Sequence, residues 1–519
     1  MLNFIQSQIL FYITLGFVLF LPGYFLLLAV FGKSQTLSAL EKFVFSFGLS
    51  IVSVDFIFFL LDKLGISINR FSSIAAILIF SAICFAIYKF RKISKADREE
   101  SHLFNFSRNQ FILILLLLFL AVFLKTAYLS RSVLPSATDM GHHMYWVNSM
   151  VESGKLPIYD GLPDFIIGEH VIFGIIALIS GASVFSAFPI AVLLLINIFS
   201  ILTVFILTLR IFENKNVAIL SLLFLGALYA ISSPQAKFVS GGVIGNIMGN
   251  FLMPLAFYCH YRAFSFLKEE EMKISAEAKT FMALAVFVTF GLFYTHHLTA
   301  FIFLFVFALI AVGFLLVNYK EVEKILPKIG RVIFSPQVLI VSAACLIFFF
   351  YIFVPTYVKS SAVGTAVGVA SKETRTGLSM DNLRSAVGEA RLALGLVGIV
   401  LLLIFYKNKR RNLGYAIVAA WAIMVFVMSS YPKILFLNLP SSRIGNYLTY
   451  PIAILSAYAF YEIFKNKNIN DLLRAGFFVI LAFALVGGLA DFTDSFKVKT
   501  NANELTQTFG ASRYLAEPG

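Results

Sequence analysis

Pro135-Ser-Ala-Thr-Asp-Met-Gly-His-His-Met-Tyr-Trp-Val-Asn-Ser-Met150 is a polar stretch lying just beyond an apolar run that ends near Leu129. Placed on a helix from Ser136 onward, Asp139, His142, His143 and Trp146 share one face, and Met140, Met144, Val147 and Val151 form the adjacent apolar stripe. This pattern predicts a helix lying in a membrane interface, with its ionisable face turned to a cavity. A carboxylate and two imidazoles on one face suit a proton, a metal ion or a phosphate. Ser136 and Asp139 also have the spacing of a capping box, a role compatible with chemistry.

The rest of the chain supports a membrane setting. Of 519 residues, 60% are hydrophobic and 13% charged, and the mean hydropathy is +0.89. These values exclude a soluble multidomain protein and define a polytopic, all-α membrane protein. Windows of about 20 apolar residues mark fourteen transmembrane helices, near 7–31, 40–61, 71–90, 109–129, 185–209, 216–232, 241–262, 279–294, 298–318, 333–354, 390–406, 413–430, 444–464 and 475–490. The opening Met1 to Gln8 carries no Lys or Arg, so the first span is expected to stay attached, starting outside. Alternate loops then carry Arg91, Lys92, Lys95 and Arg98, Lys320 to Arg331, and Lys407 to Arg411. Positive charge gathers inside, which predicts both termini on the extracytoplasmic side of the cell membrane. The net charge of +14 is therefore a topology signal with membrane lipids as its partner, and no nucleic acid is implied. Cys84, Cys259 and Cys345 each lie inside an apolar run, without disulfide or metal-ligand spacing.

Taken in order, Leu21-Pro-Gly-Tyr24 should break the first span, and Asp55 is the one acidic residue well inside a span, as fitting for a packing hydrogen bond as for function. The first large outer loop, 130–184, holds a second short apolar run opened by Gly168-Glu169-His170. It is too short to span and is expected as a second interfacial or re-entrant helix. Gly241, Gly245 and Gly249 form a small-residue stripe expected to serve helix packing. Tyr294-Thr-His-His-Leu-Thr299 interrupts a long apolar run and predicts a tight turn carrying His296 and His297. The loop 355–389 reads as a lid, and Leu439 to Pro451 brings Arg443 and Tyr447 to the outer end of a late helix.

His142, His143, His170, His296 and His297 thus gather on one expected side, with Asp139, Glu169 and Arg443 beside them. Independent interface anchors would be spread over both sides, so these residues are expected to line one outer-facing cavity. At this point the chain resembles the GT-C superfamily of integral membrane glycosyltransferases, especially the protein mannosyltransferase and aminoarabinose transferase group. The resemblance covers roughly 109–490 and rests on Asp139 after the first core helix, the Gly291-Leu-Phe-Tyr-Thr-His-His297 turn, and Arg443, Tyr447 and Pro451. It departs in having Asp-x-x-His-His in place of paired acids, His where Lys is common, and a late Arg and Tyr four residues apart.

The resemblance implies transfer of a sugar from a polyprenyl-phosphate-linked donor to an extracytoplasmic acceptor: a lipid, glycan or protein. Asp139 is the expected base, and Arg443 with His296 or His297 the expected phosphate contact. His142, His143, Glu169, His170 and Tyr447 are expected substrate contacts. Asp139, His143 and Glu169 form a candidate set for a divalent metal, Zn or Mn suiting these donors better than Mg. The expected organisation is an N-terminal three-span segment (1–108), a GT-C-like core (109–490) and an extracytoplasmic tail (491–519). A secondary transporter or lipid flippase is the alternative, and it predicts internal repeats and midplane polar groups. A membrane assembly or sensor protein without chemistry would leave the histidines unexplained.

Overall fold

The computed structural model describes residues 2–32, 36–90, 101–127, 138–157, 168–184, 186, 188–229, 244–265, 274–358, 364, 366–404, 412–467, 469–495 and 510. The main helices, in chain order, are α1 (Leu2–Leu19), α2 (Leu21–Phe31), α3 (Ala39–Lys63), α4 (Arg70–Phe90), α5 (Arg108–Thr126), α6 (Thr138–Ser153), α7 (Gly168–Ser180), α8 (Phe188–Phe212), α9 (Lys215–Leu223) and α10 (Ile244–Ser265). They continue as α11 (Ala276–Thr295), α12 (His297–Val317), α13 (Val322–Ile333), α14 (Pro336–Phe348), α15 (Met380–Ala386), α16 (Glu389–Ile404), α17 (Asn412–Ser430), α18 (Ser441–Gly445), α19 (Thr449–Lys465) and α20 (Asp471–Ser495). No strand forms among the described residues; Val367 and Leu437 make an isolated bridge.

Among the described residues each of the fourteen expected spans overlaps a helix, and ten helices there are long and apolar enough to cross a membrane. The others fall short for local reasons. α9 is brief even with the π-turn Phe224–Leu228 that continues it, α19 has 17 residues, α10 carries Asn246, Asn250, His260 and Arg262, and α16 is described as far as Ile404. The chain is a polytopic helical membrane protein.

The break in the first span falls where Leu21-Pro-Gly-Tyr24 predicts it, since α1 ends at Leu19 and Pro22 occupies the first turn of α2. Gly23 then lets α2 lie against α3, for a Cβ there would sit 2.0 Å from the Ser46 carbonyl oxygen. α3 starts at a capping box in which the Glu41 carboxylate accepts from the Ser38 amide at 2.7 Å and the Ser38 hydroxyl accepts from the Glu41 amide at 3.2 Å. The same carboxylate accepts two bonds from Arg210 of α8, at 2.6 and 2.8 Å, and one from the Tyr258 hydroxyl. This fork-to-carboxylate geometry is what a buried pair requires to offset its desolvation.

α3, α8 and α10 are central. Phe47 and Phe199 stack at 3.9 Å between ring centres where α3 meets α8. Other helices turn apolar side chains outward, including Phe71 (82% exposed), Phe119 (71%) and Phe483 (66%). Isolated in water such residues would be a liability; in lipid they are the natural outer surface. Cys84, Cys259 and Cys345 are buried and form no disulfide.

α7 is a short apolar helix, as expected, and not one of the spans. Apart from Leu178 it is buried along its whole length, packed against α6 and against α1, α3 and α4, with α10 and α11 also in contact. A helix apolar all round belongs inside protein, so the run opened by Gly168 is enclosed by neighbouring helices, as the re-entrant form of the expectation requires. The expected lid is tied down in part. Gly368 N–H donates to Phe436 O at 2.8 Å, Leu378 N–H to Ser429 O at 2.9 Å, and the Arg375 guanidinium to Asn438 O at 2.9 Å.

Candidate functional site

The site begins with the apolar stripe of α6. Met140, Met144, Val147 and Met150 are buried, and Gly174 of α7 is bare where Met150 packs, a Cβ there falling 2.8 Å from the methionine sulfur. Seating α6 this way turns His143 toward α7. Its Nδ1 lies 2.8 Å from His170 Nε2, one of the two nitrogens donating according to tautomer, and 3.8 Å from Glu169 Oε1. One ligand atom from each of His143, Glu169 and His170 falls within 4.8 Å of the others.

Burial fixes the electrostatics. It holds His143 down to about 3, with the charges of His142 and Arg443 adding to the effect. His170 is likewise held well below the usual histidine value by burial, and then by His143 and His142. Burial raises Glu169 well above the usual carboxyl range, and the charge of Asp55 raises it further. Both imidazoles are therefore neutral and carry lone pairs, the form that binds a metal. Neither carboxylate oxygen of Glu169 has a hydrogen-bond partner among the described residues. A buried carboxyl without partners is costly. Two imidazoles and a carboxylate fit a divalent ion of the Zn or Mn kind.

A second group comes from the turn between α11 and α12. His296 is the single non-helical residue joining them, and the apolar run folds at the predicted place. Its Nδ1 lies 2.6 Å from Thr299 Oγ1 and 3.3 Å from the Tyr447 hydroxyl, which also contacts Thr299. Gly249, from the small-residue stripe, makes this possible: a Cβ there would stand 1.9 Å from Thr299 Oγ1. Burial, then the charges of His297, Arg443 and His143, holds His296 well below its usual value. The charge of Arg443 thus reaches both histidine groups. Arg443 is exposed on α18, and its carbonyl accepts from the Asn246 side chain at 3.0 Å.

The sequence-selected residues fall out as follows. His143, Glu169, His170, His296, Tyr447 and Arg443 come to one end of the bundle. His142 and His297 are exposed beside them. Asp139 sits in the first turn of α6, and its side chain lies outside the described residues, as does Ser136. Of the expected metal set, His143 and Glu169 meet, with His170 as the third donor. Sequence reasoning passed over Thr295 and Thr299, which lie in the quoted turn motif and whose spacing from His296 was the available signal. It also left Asp55 undecided.

The fold is similar to that of the apo oligosaccharyltransferase of Archaeoglobus fulgidus, at TM-score 0.51 and 15% identity, covering 77% of this chain and 56% of that one. The same enzyme tethered to an acceptor peptide containing the NVT sequon gives 0.49 at 14% identity over 79% of this chain and 56% of that one. The archaeal oligosaccharyltransferase AglB from Archaeoglobus fulgidus, in complex with an inhibitory peptide and a dolichol-phosphate, gives 0.48 at 16% over 78% of this chain and 56% of that one. The chain thus spans little more than half the length of the chains it matches, and the likeness is one of fold alone. By sequence, residues 16–512 match the family of unknown function DUF6541, and the chain belongs to that family. No curated protein sequence matches it.

Proposed function

We propose that this chain is a membrane glycosyltransferase that moves a sugar from a polyprenyl-phosphate-linked donor to an acceptor on the extracytoplasmic side. The observation that carries this reading is the meeting, at one end of a GT-C-like bundle, of a His143–Glu169–His170 group with a His296–Thr299–Tyr447 group and the guanidinium of Arg443.

Transfer breaks the bond between the sugar and the donor phosphate and forms one to an acceptor oxygen or nitrogen. The acceptor must lose a proton, and the leaving phosphate must have its charge met. Asp139, in the first turn of α6, takes the proton. Arg443 meets the phosphate with its planar fork, and His296, held by Thr299 and Tyr447, adds a directed ring nitrogen. His142 and His297, exposed beside them, line the approach. A divalent ion held by His143, Glu169 and His170 would neutralise developing negative charge beside the phosphate. The proposed organisation keeps the core at 109–490, the leading helices at 1–108 and the tail at 491–519, with both termini extracytoplasmic.

The direct test is incubation of the purified protein in lipid nanodiscs with a radiolabelled polyprenyl-phosphate sugar. Label passing to acceptor, with release of polyprenyl phosphate, is expected. Binding and transbilayer movement of the intact donor without bond cleavage would instead support the flippase alternative.

A further inference from the structure

Asp55 is fully buried in α3, far in sequence from every residue of the candidate site. Its Oδ2 accepts from the Thr295 hydroxyl at 3.0 Å, and its Oδ1 has no hydrogen-bond partner among the described residues. Thr295 precedes His296. On the other side Asp55 touches the start of α7: a Cβ on Gly168 would lie 2.8 Å from Asp55 Oδ2 and 2.7 Å from Thr295 Cα. Gly291 of α11 is bare against Val52 of α3, a Cβ there falling 2.5 Å from Val52 Cγ1. Two glycines therefore let three helices close around one carboxylate, and that carboxylate stands between the residue before Glu169 and the residue before His296.

Two buried carboxyl groups, Asp55 and Glu169, now face a charge problem. Each has at least one oxygen without a hydrogen-bond partner among the described residues, and Asp55 stands against Gly168, the residue before Glu169. Two neutral imidazoles and one carboxylate around a divalent ion leave a net positive charge in an apolar setting. A second carboxylate cancels it.

We propose that Asp55, from the leading membrane segment, is a positioning residue of the His143–Glu169–His170 cation site: it supplies the second negative charge that balances a divalent ion and links that site to the His296 turn through Thr295. The inference deepens the glycosyltransferase reading and rests on it for the use of the ion, while its test reads the ion alone. Asp55→Asn keeps an oxygen for the Thr295 hydroxyl and removes the charge. Thr295→Val keeps the charge and removes the bond that aims it.

The measurement is Zn2+ affinity of the full-length protein in nanodiscs, by competition with a chromophoric chelator, with the rise in thermal midpoint on adding Zn2+ as a second readout. Asp55→Asn should bind Zn2+ about 10- to 100-fold more weakly, with a metal-free midpoint near that of the unaltered chain. Thr295→Val should weaken it by a smaller factor in the same direction, and it carries the test if Asp55→Asn does not fold. Unchanged Zn2+ affinity in the folded variant, or an unaltered chain that binds no Zn2+ at all, overturns the role given to Asp55. Sugar transfer without Zn2+ binding would remove this inference and leave the enzyme reading standing, whereas Zn2+ binding weakened by Asp55→Asn without any transfer would do the reverse.

Discussion

Gly249→Ala perturbs the site through a single methyl group. Built on the backbone, the new Cβ lies 1.9 Å from Thr299 Oγ1, 2.7 Å from its Cγ2 and 2.8 Å from its Cβ. The conflict involves the root of a β-branched side chain, so a tip rotation cannot relieve it. Either α10 and α12 separate or Thr299 turns, and turning costs its contacts with His296 and Tyr447. Overpacking of this kind costs about 1–3 kcal/mol, and loss of a buried hydrogen bond adds about 0.5–1.5 kcal/mol. Gly249→Ala should therefore lose roughly 2–4 kcal/mol in a reversible unfolding assay in mixed micelles. The donor affinity of the folded fraction should also fall. Gly16→Ala is the control, because nothing lies within 4 Å of a Cβ at that position and alanine favours the helix there. Equal stability of Gly249→Ala and the unaltered chain would refute the close crossing at Thr299 and the support it gives His296.

Arg443→Lys keeps the charge and loses the fork, so donor use should weaken by about 1–3 kcal/mol, read as kcat/KM at varied donor; unchanged kinetics in Arg443→Ala would reduce Arg443 to an interface anchor. Arg210→Ala strands the Glu41 carboxylate in the interior and should cost about 3–5 kcal/mol of stability, measured in the same unfolding assay, while Glu41→Leu with Arg210→Met should recover most of it. Cysteines placed at positions 95 and 409 should label from the cytoplasmic side alone and those at 160 and 370 from the opposite side alone. Labelling of 160 from the cytoplasm would reverse the proposed orientation.

Much of the fold was legible because apolar periodicity reports burial directly. Of the apolar stripe read as Met140, Met144, Val147 and Val151, the first three are buried and Val151 is half-buried, and the two short helices meeting at His296 follow from one polar interruption in an apolar run. The expected count of fourteen spans was harder, since α19 is apolar yet only 17 residues long, and hydropathy does not reveal where Asn446 and Tyr447 end one helix before Thr449 starts the next. α7 was expected as an interfacial or re-entrant helix on its length, and its apolar faces all round agree with its burial among neighbouring helices. Asp55 could not be resolved from sequence, because its partner Thr295 is 240 residues away and only tertiary packing joins them. Thr299 was hidden in the same way: its contact with Tyr447 crosses 148 residues.

The central claim is acceptor activation by Asp139, in the first turn of α6. Asp139→Asn is nearly isosteric and keeps an oxygen able to accept a capping hydrogen bond, so a purely structural role survives it. A base does not, since the amide has no useful proton affinity, and loss of a positioned base costs about 100- to 10,000-fold in rate. The measurement is single-turnover transfer from a labelled polyprenyl-phosphate sugar, alongside donor binding and thermal stability of the same preparation. The account predicts unchanged insertion, stability and donor binding, with transfer slowed at least about 100-fold. Transfer near the unaltered rate would contradict it and return Asp139 to the part of a helix cap.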